Sequence, residues 1–161
     1  MKKILEILEK DAKATPAEIA RMLGMKPKAV VDTIKKLERD GVILKYKAII
    51  NKEIDRDDDS RVRALIEVRV TPQKNLGFES VAERIYKFPE VASCYLMSGT
   101  YDLLVVVEGK NINTVANFVA EKLSPMEHVR GTVTHFLLKK YKEDGDILKS
   151  PEKSKRQVIT L

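Results

Sequence analysis

Five charged side chains lie at spacings that would place them together on one face of a helix. They are Lys28, Asp32, Lys35, Lys36 and Arg39. Lysine and arginine side chains suit phosphate oxygens and base edges in the major groove of DNA. The spacing therefore favours a nucleic-acid-binding surface, although an ordinary solvated helix face carries the same residue types.

The surrounding segment has the layout of a helix-turn-helix. Thr15 can cap a first helix, with Pro16 at its first position and Glu18 reaching back to complete a capping box. Gly24 permits a left-handed turn, and a second helix begins at about Pro27. The apolar residues expected to face the core of this unit are Ile19, Ala20, Leu23, Val30, Ile34 and Leu37. Plain helical hairpins share this layout, so the helices alone do not establish DNA binding.

The distribution of charge strengthens the nucleic-acid interpretation. Residues 1–52 hold 13 Lys and Arg against 7 Asp and Glu, whereas residues 53–161 hold 17 of each. The whole formal charge of +6 therefore lies in the first third of the chain. A localised basic segment attracts a polyanion through counterion release, and double-stranded DNA becomes the leading partner.

Length and composition bound the class of protein. A chain of 161 residues with 43% hydrophobic content suits one ordinary domain or two small ones. The opening helix is amphipathic through Ile4, Ile7 and Leu8 and does not have the pattern of a signal peptide, so we expect a cytoplasmic protein. The single cysteine, Cys94, excludes an intrachain disulfide and is expected to be a buried small hydrophobe.

The pattern after residue 60 indicates an α+β domain. Val62 to Val70 alternates as a strand, Leu76 to Phe88 has helical spacing, and two apolar runs follow, Val91 to Met97 and Leu103 to Val107. A second helix capped by Asn111 or Asn113 and a last strand from Arg130 to Tyr141 complete the order β-α-β-β-α-β. This order predicts a ferredoxin-like domain.

The sequence divides into four parts. We expect a helix-turn-helix domain over 1–50, a linker over 51–60, the ferredoxin-like domain over 61–142 and a tail over 143–161. Val42 to Ile50 alternates loosely and could form a strand, and the closing run Gln157 to Leu161 could add a strand to a sheet edge. The runs Val91 to Met97 and Leu103 to Val107, expected to be the two central strands of the sheet, look apolar on both faces, which predicts that a second copy of the chain covers the face without helices.

These features together resemble the Lrp/AsnC family of feast/famine transcription regulators. The resemblance rests on the run LGMKPKAVVDTIKKLERDGVI and on Gly99, Tyr101 and Asp102 between two strands. It implies a winged-type helix-turn-helix followed by a RAM/ACT-like domain, a dimer through that domain, and higher oligomers such as an octamer. It also implies an amino-acid effector near the glycine loop, with no enzymatic activity and no cofactor.

The DNA-contacting segment implied by the resemblance departs from the family pattern in two places. Its DNA-contacting residues are Lys26, Lys28, Asp32, Lys35, Lys36 and Arg39. Members commonly have a Ser or Thr cap where this chain has Lys26, and basic residues at Val31, Asp32 and Thr33. A cation at a helix N-terminus opposes the helix dipole unless a phosphate lies beside it, so Lys26 is better explained in contact with DNA. Asp32 could contribute to DNA binding only by accepting a hydrogen bond from a cytosine amino group.

The effector-contacting residues implied by the resemblance are Gly99, Thr100, Tyr101, Asp102, Thr132 and Thr134. The simpler interpretation of the loop is a turn in which Gly99 has a positive φ. The simpler interpretation of Thr132 and Thr134 is that threonine favours strands and that both residues lie on an exposed face of the sheet.

Two alternatives remain at this point. The architecture is similar to that of sirohaem decarboxylases, which use histidine chemistry on a tetrapyrrole. His128 and His135 are therefore compatible with such an enzyme, although a purely structural role explains both histidines as well. Asp32 keeps open a ligand-sensing partner subunit that does not bind DNA by itself. Neither histidine has companions at metal-ligand spacing, so we expect no metal site.

Overall fold

A computed structural model describes residues 1–51, 61–71 and 77–148. The chain divides into two compact units, residues 1–50 and 51–161. Within the described ranges, no helix has the length and apolar character needed to span a membrane.

The first unit contains three helices around a small core. They are α1 (Lys2–Lys10), α2 (Pro16–Leu23) and α3 (Pro27–Arg39). The buried residues of this core are Ile4, Leu8, Ile19, Ala20 and Val30. Leu37 is also buried, so the apolar face predicted for α3 is the face that packs inward.

Local chemistry fixes where α2 begins and ends. The backbone N–H of Glu18 donates to Thr15 Oγ1 at 3.3 Å, and the backbone N–H of Thr15 donates to Glu18 Oε2 at 2.8 Å. The predicted capping box is therefore confirmed. Gly24 has a φ of 64°, the left-handed conformation that lets the chain turn into α3.

The strand suggested over Val42 to Ile50 does not form. The described residues after α3 in this unit are neither helix nor strand, and Val42, Leu44, Tyr46, Ile49 and Ile50 are exposed. A strand needs a neighbour for its backbone N–H and C=O groups, and no other strand lies in residues 1–51. Alternation alone was insufficient evidence here.

The second unit has a four-stranded antiparallel sheet in the order β2-β3-β1-β4. Its strands are β1 (Val62–Val70), β2 (Val91–Leu96), β3 (Leu103–Gly109) and β4 (Val129–Phe136). Its helices are α4 (Glu79–Tyr86) and α5 (Ile112–Asn117), and α5 continues as a π-helix over Phe118–Leu123. The predicted β-α-β-β-α-β order is confirmed.

Several predicted helices and strands were longer than those in the structure. The first helix of this unit starts at Glu79, since Gly77 and Phe78 precede it as bridge and turn, and Leu76 lies outside the described residues. Asn111, not Asn113, caps α5 by accepting from the N–H of Thr114 at 2.9 Å. The last strand ends at Phe136, where its ladder with β1 reaches Ala64 near the start of that strand.

The sheet has one apolar face and one mixed face. Alternate residues of β1 and β3 are buried against the helices, namely Ala64, Ile66, Val68, Leu103, Val105 and Val107. The opposite face is the outer face; it carries Leu65, Leu104 and Val106 beside charged residues of β1. The prediction that the two strands after the first helix are both central was wrong, because β2 is an edge strand and β3 lies beside β1.

A short hairpin follows the sheet in the region predicted to be a tail. It consists of β5 (Lys142–Glu143) and β6 (Asp146–Ile147), with Asp144 and Gly145 at the turn. The Arg63 guanidinium contacts Glu143 Oε1 at 3.4 Å and also pairs with Glu108. The hairpin is therefore tied to β1. The linker residues 52–60 and the tail beyond residue 148, with the strand proposed for Gln157 to Leu161, lie outside the described residues.

Candidate DNA-binding surface and effector loop

The exposed face of α3 brings together most of the residues predicted to contact DNA. Because Val30 and Leu37 are buried, the rotation of the helix about its own axis is fixed. Lys28, Asp32, Lys35, Lys36 and Arg39 are all exposed. The result is a surface with four cationic side chains and one carboxylate, which we call the α3 face.

Lys26 lies at the N-cap of α3 and makes no side-chain capping hydrogen bond. Pro27 occupies the first helical position, so one of the first backbone N–H groups is missing from the outset. The N–H of Ala29 donates to the carbonyl of Lys26 at 3.0 Å, so within the first turn the N–H of Lys28 is left for an external acceptor. An anion at this position would meet both the Lys26 ammonium and that N–H group.

The C-terminal end of α3 is held by contacts within its own unit. The Tyr46 hydroxyl donates to Glu38 Oε1 at 2.9 Å, and Arg39 Nε lies 3.3 Å from Asp40 Oδ1. Desolvation, and then the hydrogen bond to Glu38, raises the pKa of Tyr46 above its usual value. Glu38 is thereby engaged with Tyr46, a contact that sequence reasoning missed.

The glycine loop between β2 and β3 is anchored to β1. Gly99 has a φ of 149°, which L side chains rarely adopt, and its Cβ position faces open space. The backbone N–H of Val70 donates to Asp102 Oδ2 at 2.7 Å, and the backbone N–H of Asp102 donates to the carbonyl of Val68 at 3.1 Å. The Asp102 carboxylate thus has a partner inside the protein before any effector is considered.

Thr132 and Thr134 lie on the helix-covered face of the sheet. Thr132 pairs with Val68 and Thr134 with Ile66, both fully buried, and directly paired residues of antiparallel strands share a face. The interpretation that these threonines stand on an exposed face was therefore wrong. Thr132 Oγ1 lies 3.5 Å from Ser124 Oγ, beside the end of the π-helix.

Sequence reasoning missed Arg130. Its Nε donates to Thr71 Oγ1 at 2.6 Å, and the backbone N–H of Thr71 donates to the carbonyl of His128 at 2.9 Å. These contacts lie at the end of the sheet where Asp102 binds Val70, since Val129 pairs with Val70. An arginine two residues before Thr132 was the available signal.

The two histidines take separate positions. His135 Nε2 lies 3.1 Å from Glu67 Oε1 on the outer face of the sheet, and His128 Nε2 lies 3.5 Å from Glu127 Oε1. Among the residues that the structure describes, no group of three or more His, Cys, Asp or Glu side chains could hold a metal ion. Cys94 is half-buried against the core, and burial raises the pKa of its thiol.

Comparison with known families now accounts for both units. Residues 1–43 match a family model described as a winged helix-turn-helix DNA-binding domain, and residues 63–147 match the Lrp/AsnC ligand-binding domain. The chain belongs to the Lrp/AsnC family. Its first unit is accordingly a DNA-binding domain and its second an Lrp/AsnC-type ligand-binding domain, so the predicted fold class is confirmed.

Individual relatives span nearly the whole chain. An HTH-type transcriptional regulator of Bacillus subtilis, YugG, is 46% identical over 158 residues, which cover 98% of this chain and 94% of that protein. An HTH-type transcriptional regulator of Pyrococcus furiosus is 34% identical over 146 residues, covering 91% and 92%. A Neisseria meningitidis transcriptional regulator solved with L-Met is 26% identical, with a TM-score of 0.66 over 88% of this chain and 89% of that one.

Proposed function

We propose that this protein is a sequence-specific transcription regulator that reads DNA with α3 and is modulated by an amino acid or a related small metabolite. The observation that carries the proposal is the α3 face, in which four cations surround one carboxylate on a helix-turn-helix. The family membership and the concentration of net charge in the first third of the chain support it.

The α3 face supports a division of labour among its residues. Lys35 and Lys36 supply mobile ammonium groups for phosphate oxygens, and Lys26 can hold a phosphate at the start of the helix. Lys28, Asp32 and Arg39 project from the same face toward base edges and the adjoining backbone. Phosphate contacts would set affinity and register, whereas base contacts would set the preferred sequence.

The effector is proposed to bind at the end of the sheet that carries the glycine loop. Gly99, Thr100 and Tyr101 remain the loop residues available to an effector, and Asp102 holds the loop against Val70. Arg130 lies at the same end of the sheet and could meet a carboxylate. The complex of the Neisseria relative with L-Met supports an amino acid as the ligand class.

The outer face of the sheet supports a homodimer. It exposes Tyr95 at 52% and Val133 at 45%, and Leu65, Leu104 and Val106 lie on the same face. A sheet with helices on one side needs a cover for an apolar second side, and a second copy of this chain provides one. Two-fold symmetry would present two copies of α3 to pseudo-palindromic half-sites about one helical turn, or a multiple of it, apart.

The relatives are named as transcriptional regulators, which supports a regulator without enzymatic activity. We accordingly favour regulation over the sirohaem-decarboxylase-like alternative. A partner subunit that does not bind DNA alone is disfavoured because the α3 face retains its cations.

Charge reversal on α3 tests the proposal. We expect Lys35→Glu/Lys36→Glu to abolish binding to operator DNA at moderate salt while leaving the oligomer intact. The matched control is Lys2→Glu/Lys3→Glu, which makes the same charge change on the exposed start of α1. Equal loss of binding in both variants would show that only net charge matters and would count against a reading role for α3.

A further inference from the structure

Asp32 occupies the middle of the α3 face. Lys28 lies one turn before it, and Lys35 and Lys36 lie one turn after it, so all four share one side of the helix. Among the ion pairs of the described residues, none involves Asp32. Its carboxylate is exposed where the helix would meet DNA.

The α3 face has one hydrogen-bond acceptor to offer. Lysine and arginine side chains only donate. The other carboxylate of α3, Glu38, accepts from Tyr46, and the Thr33 hydroxyl donates to the carbonyl of Ala29 at 2.7 Å. Asp32 is therefore the ionised acceptor that this helix can direct to a base.

The chemistry of base edges then restricts what Asp32 can bind. Phosphates and the O6 and N7 atoms of guanine repel a carboxylate, and thymine presents only O4 and a methyl group. Adenine offers an amino donor, but its neighbouring N7 is another acceptor. Cytosine presents an N4 amino donor without an adjacent acceptor nitrogen in the major groove, and carboxylates pair with it.

We propose that Asp32 is a specificity-determining residue that accepts a hydrogen bond from N4 of one cytosine in each half-site and disfavours guanine at that position of the same strand. This inference rests on the proposed DNA-binding function. The flanking lysines offset the repulsion between the Asp32 carboxylate and the DNA phosphates. The free-energy cost of placing the carboxylate in the groove is recovered only where the carboxylate accepts a hydrogen bond from cytosine.

The test is selection of sites from a random pool of double-stranded DNA by the full-length wild type, Asp32→Asn and Asp32→Ala. Glu9→Gln is the control, because it removes one negative charge from an exposed position on α1, outside the α3 face. Affinities for sites that differ at each single base pair are then measured by titration.

We expect the wild type to prefer cytosine at one symmetric position by about 5- to 100-fold. In Asp32→Asn the preference should move toward adenine, because an amide can bind its N6 and N7 atoms together. In Asp32→Ala the preference should disappear while affinity for random DNA rises, and Glu9→Gln should keep the wild-type preference.

An unchanged base preference at every position in Asp32→Asn and Asp32→Ala would overturn the inference and leave the regulator proposal standing. A wild type that selects no sequence at all would instead overturn the proposed sequence-specific function, and this inference with it. Circular dichroism is the check that each variant folds; because Asp32 is exposed, its replacement should leave the core intact.

Discussion

The Asp102 carboxylate accepts a hydrogen bond from the backbone N–H of Val70 at 2.7 Å. The register between β1 and β4 shifts between Arg69 and Val70. The N–H of Val70 points to the other neighbour, β3, beyond the last pair of that ladder, Val68 with Leu103, and the side chain of Asp102 at the start of β3 supplies the acceptor. The glycine loop is thereby fastened to the strand next to it.

We expect Asp102→Ala to lower the free energy of unfolding by about 1 to 3 kcal/mol, because a half-buried N–H loses a charged acceptor. Asp102→Asn should lose much less, since the amide oxygen still accepts from Val70. Chemical denaturation measures both. If Asp102 instead bound the ammonium group of an effector, both variants would lose effector binding and neither would lose stability.

Replacement of Lys26 separates folding from DNA binding. Ser is a good N-cap, so Lys26→Ser should raise the free energy of unfolding by about 1 kcal/mol. The same change should weaken DNA binding and reduce the slope of log affinity against log salt by about 1, because one phosphate contact is removed. Thermal denaturation and a salt titration measure the two effects.

The control for this prediction is Lys13→Ser, at an exposed position in the turn before α2. It should change neither stability nor the salt slope appreciably. Greater stability together with an unchanged salt slope in Lys26→Ser would show that Lys26 does not contact phosphate.

A single charged substitution on the outer face of the sheet tests the proposed dimer surface. Val106→Asp should convert the protein to monomers, because a carboxylate on the outer face would be desolvated against the second copy. Sedimentation or light scattering measures the mass. Ile112→Asp, at the exposed first position of α5, adds the same carboxylate away from this face and should remain oligomeric. An unchanged mass for Val106→Asp would place the interface elsewhere.

The Glu90 carboxylate predicts a pH dependence of stability. Its hydrogen bond to the Lys122 ammonium lowers the pKa of Glu90 below 4.5, more than desolvation raises it. Because the folded pKa is the lower one, this contribution is complete above about pH 4.5 and is lost as pH falls through the folded pKa. The difference in unfolding free energy between wild type and Glu90→Gln should therefore shrink in acid.

Equilibrium unfolding at a series of pH values from neutral to acidic measures this difference. The exposed Glu121→Gln, on the π-helix, is the control and should follow the wild-type profile. A constant offset between Glu90→Gln and wild type at every pH would mean that the pair with Lys122 does not stabilise the fold.

Local signals explain why so much of the architecture was predictable. The capping box of Thr15 and Glu18, the turn at Gly24 and the alternation of β1 all depend on neighbours within a few residues. The order of elements then implied the ferredoxin-like sheet. The Asp144–Gly145 turn of the final hairpin is also a local signal, since an Asp-Gly pair favours a tight hairpin turn.

The features that escaped prediction depend on contacts remote in sequence or on backbone detail. The π-helix over Phe118–Leu123 keeps the apolar spacing of an α-helix, and its hydrogen bonds, such as Ser124 N–H to the Val119 carbonyl, are invisible in the sequence. The Asp102–Val70 contact joins residues 32 positions apart. The face occupied by Thr132 depends on the register with β1. The residue roles at the effector loop and the α3 face remain predictions.

One measurement tests the central claim most directly: a salt titration of the wild-type protein on DNA from upstream of its own gene, against random DNA of equal length. We expect log affinity to fall steeply and linearly with log salt for both DNAs, with the upstream site bound about 10³-fold or more tightly. Equal affinity for both DNAs at every salt concentration, or no binding by an intact oligomer, would contradict a sequence-specific regulator.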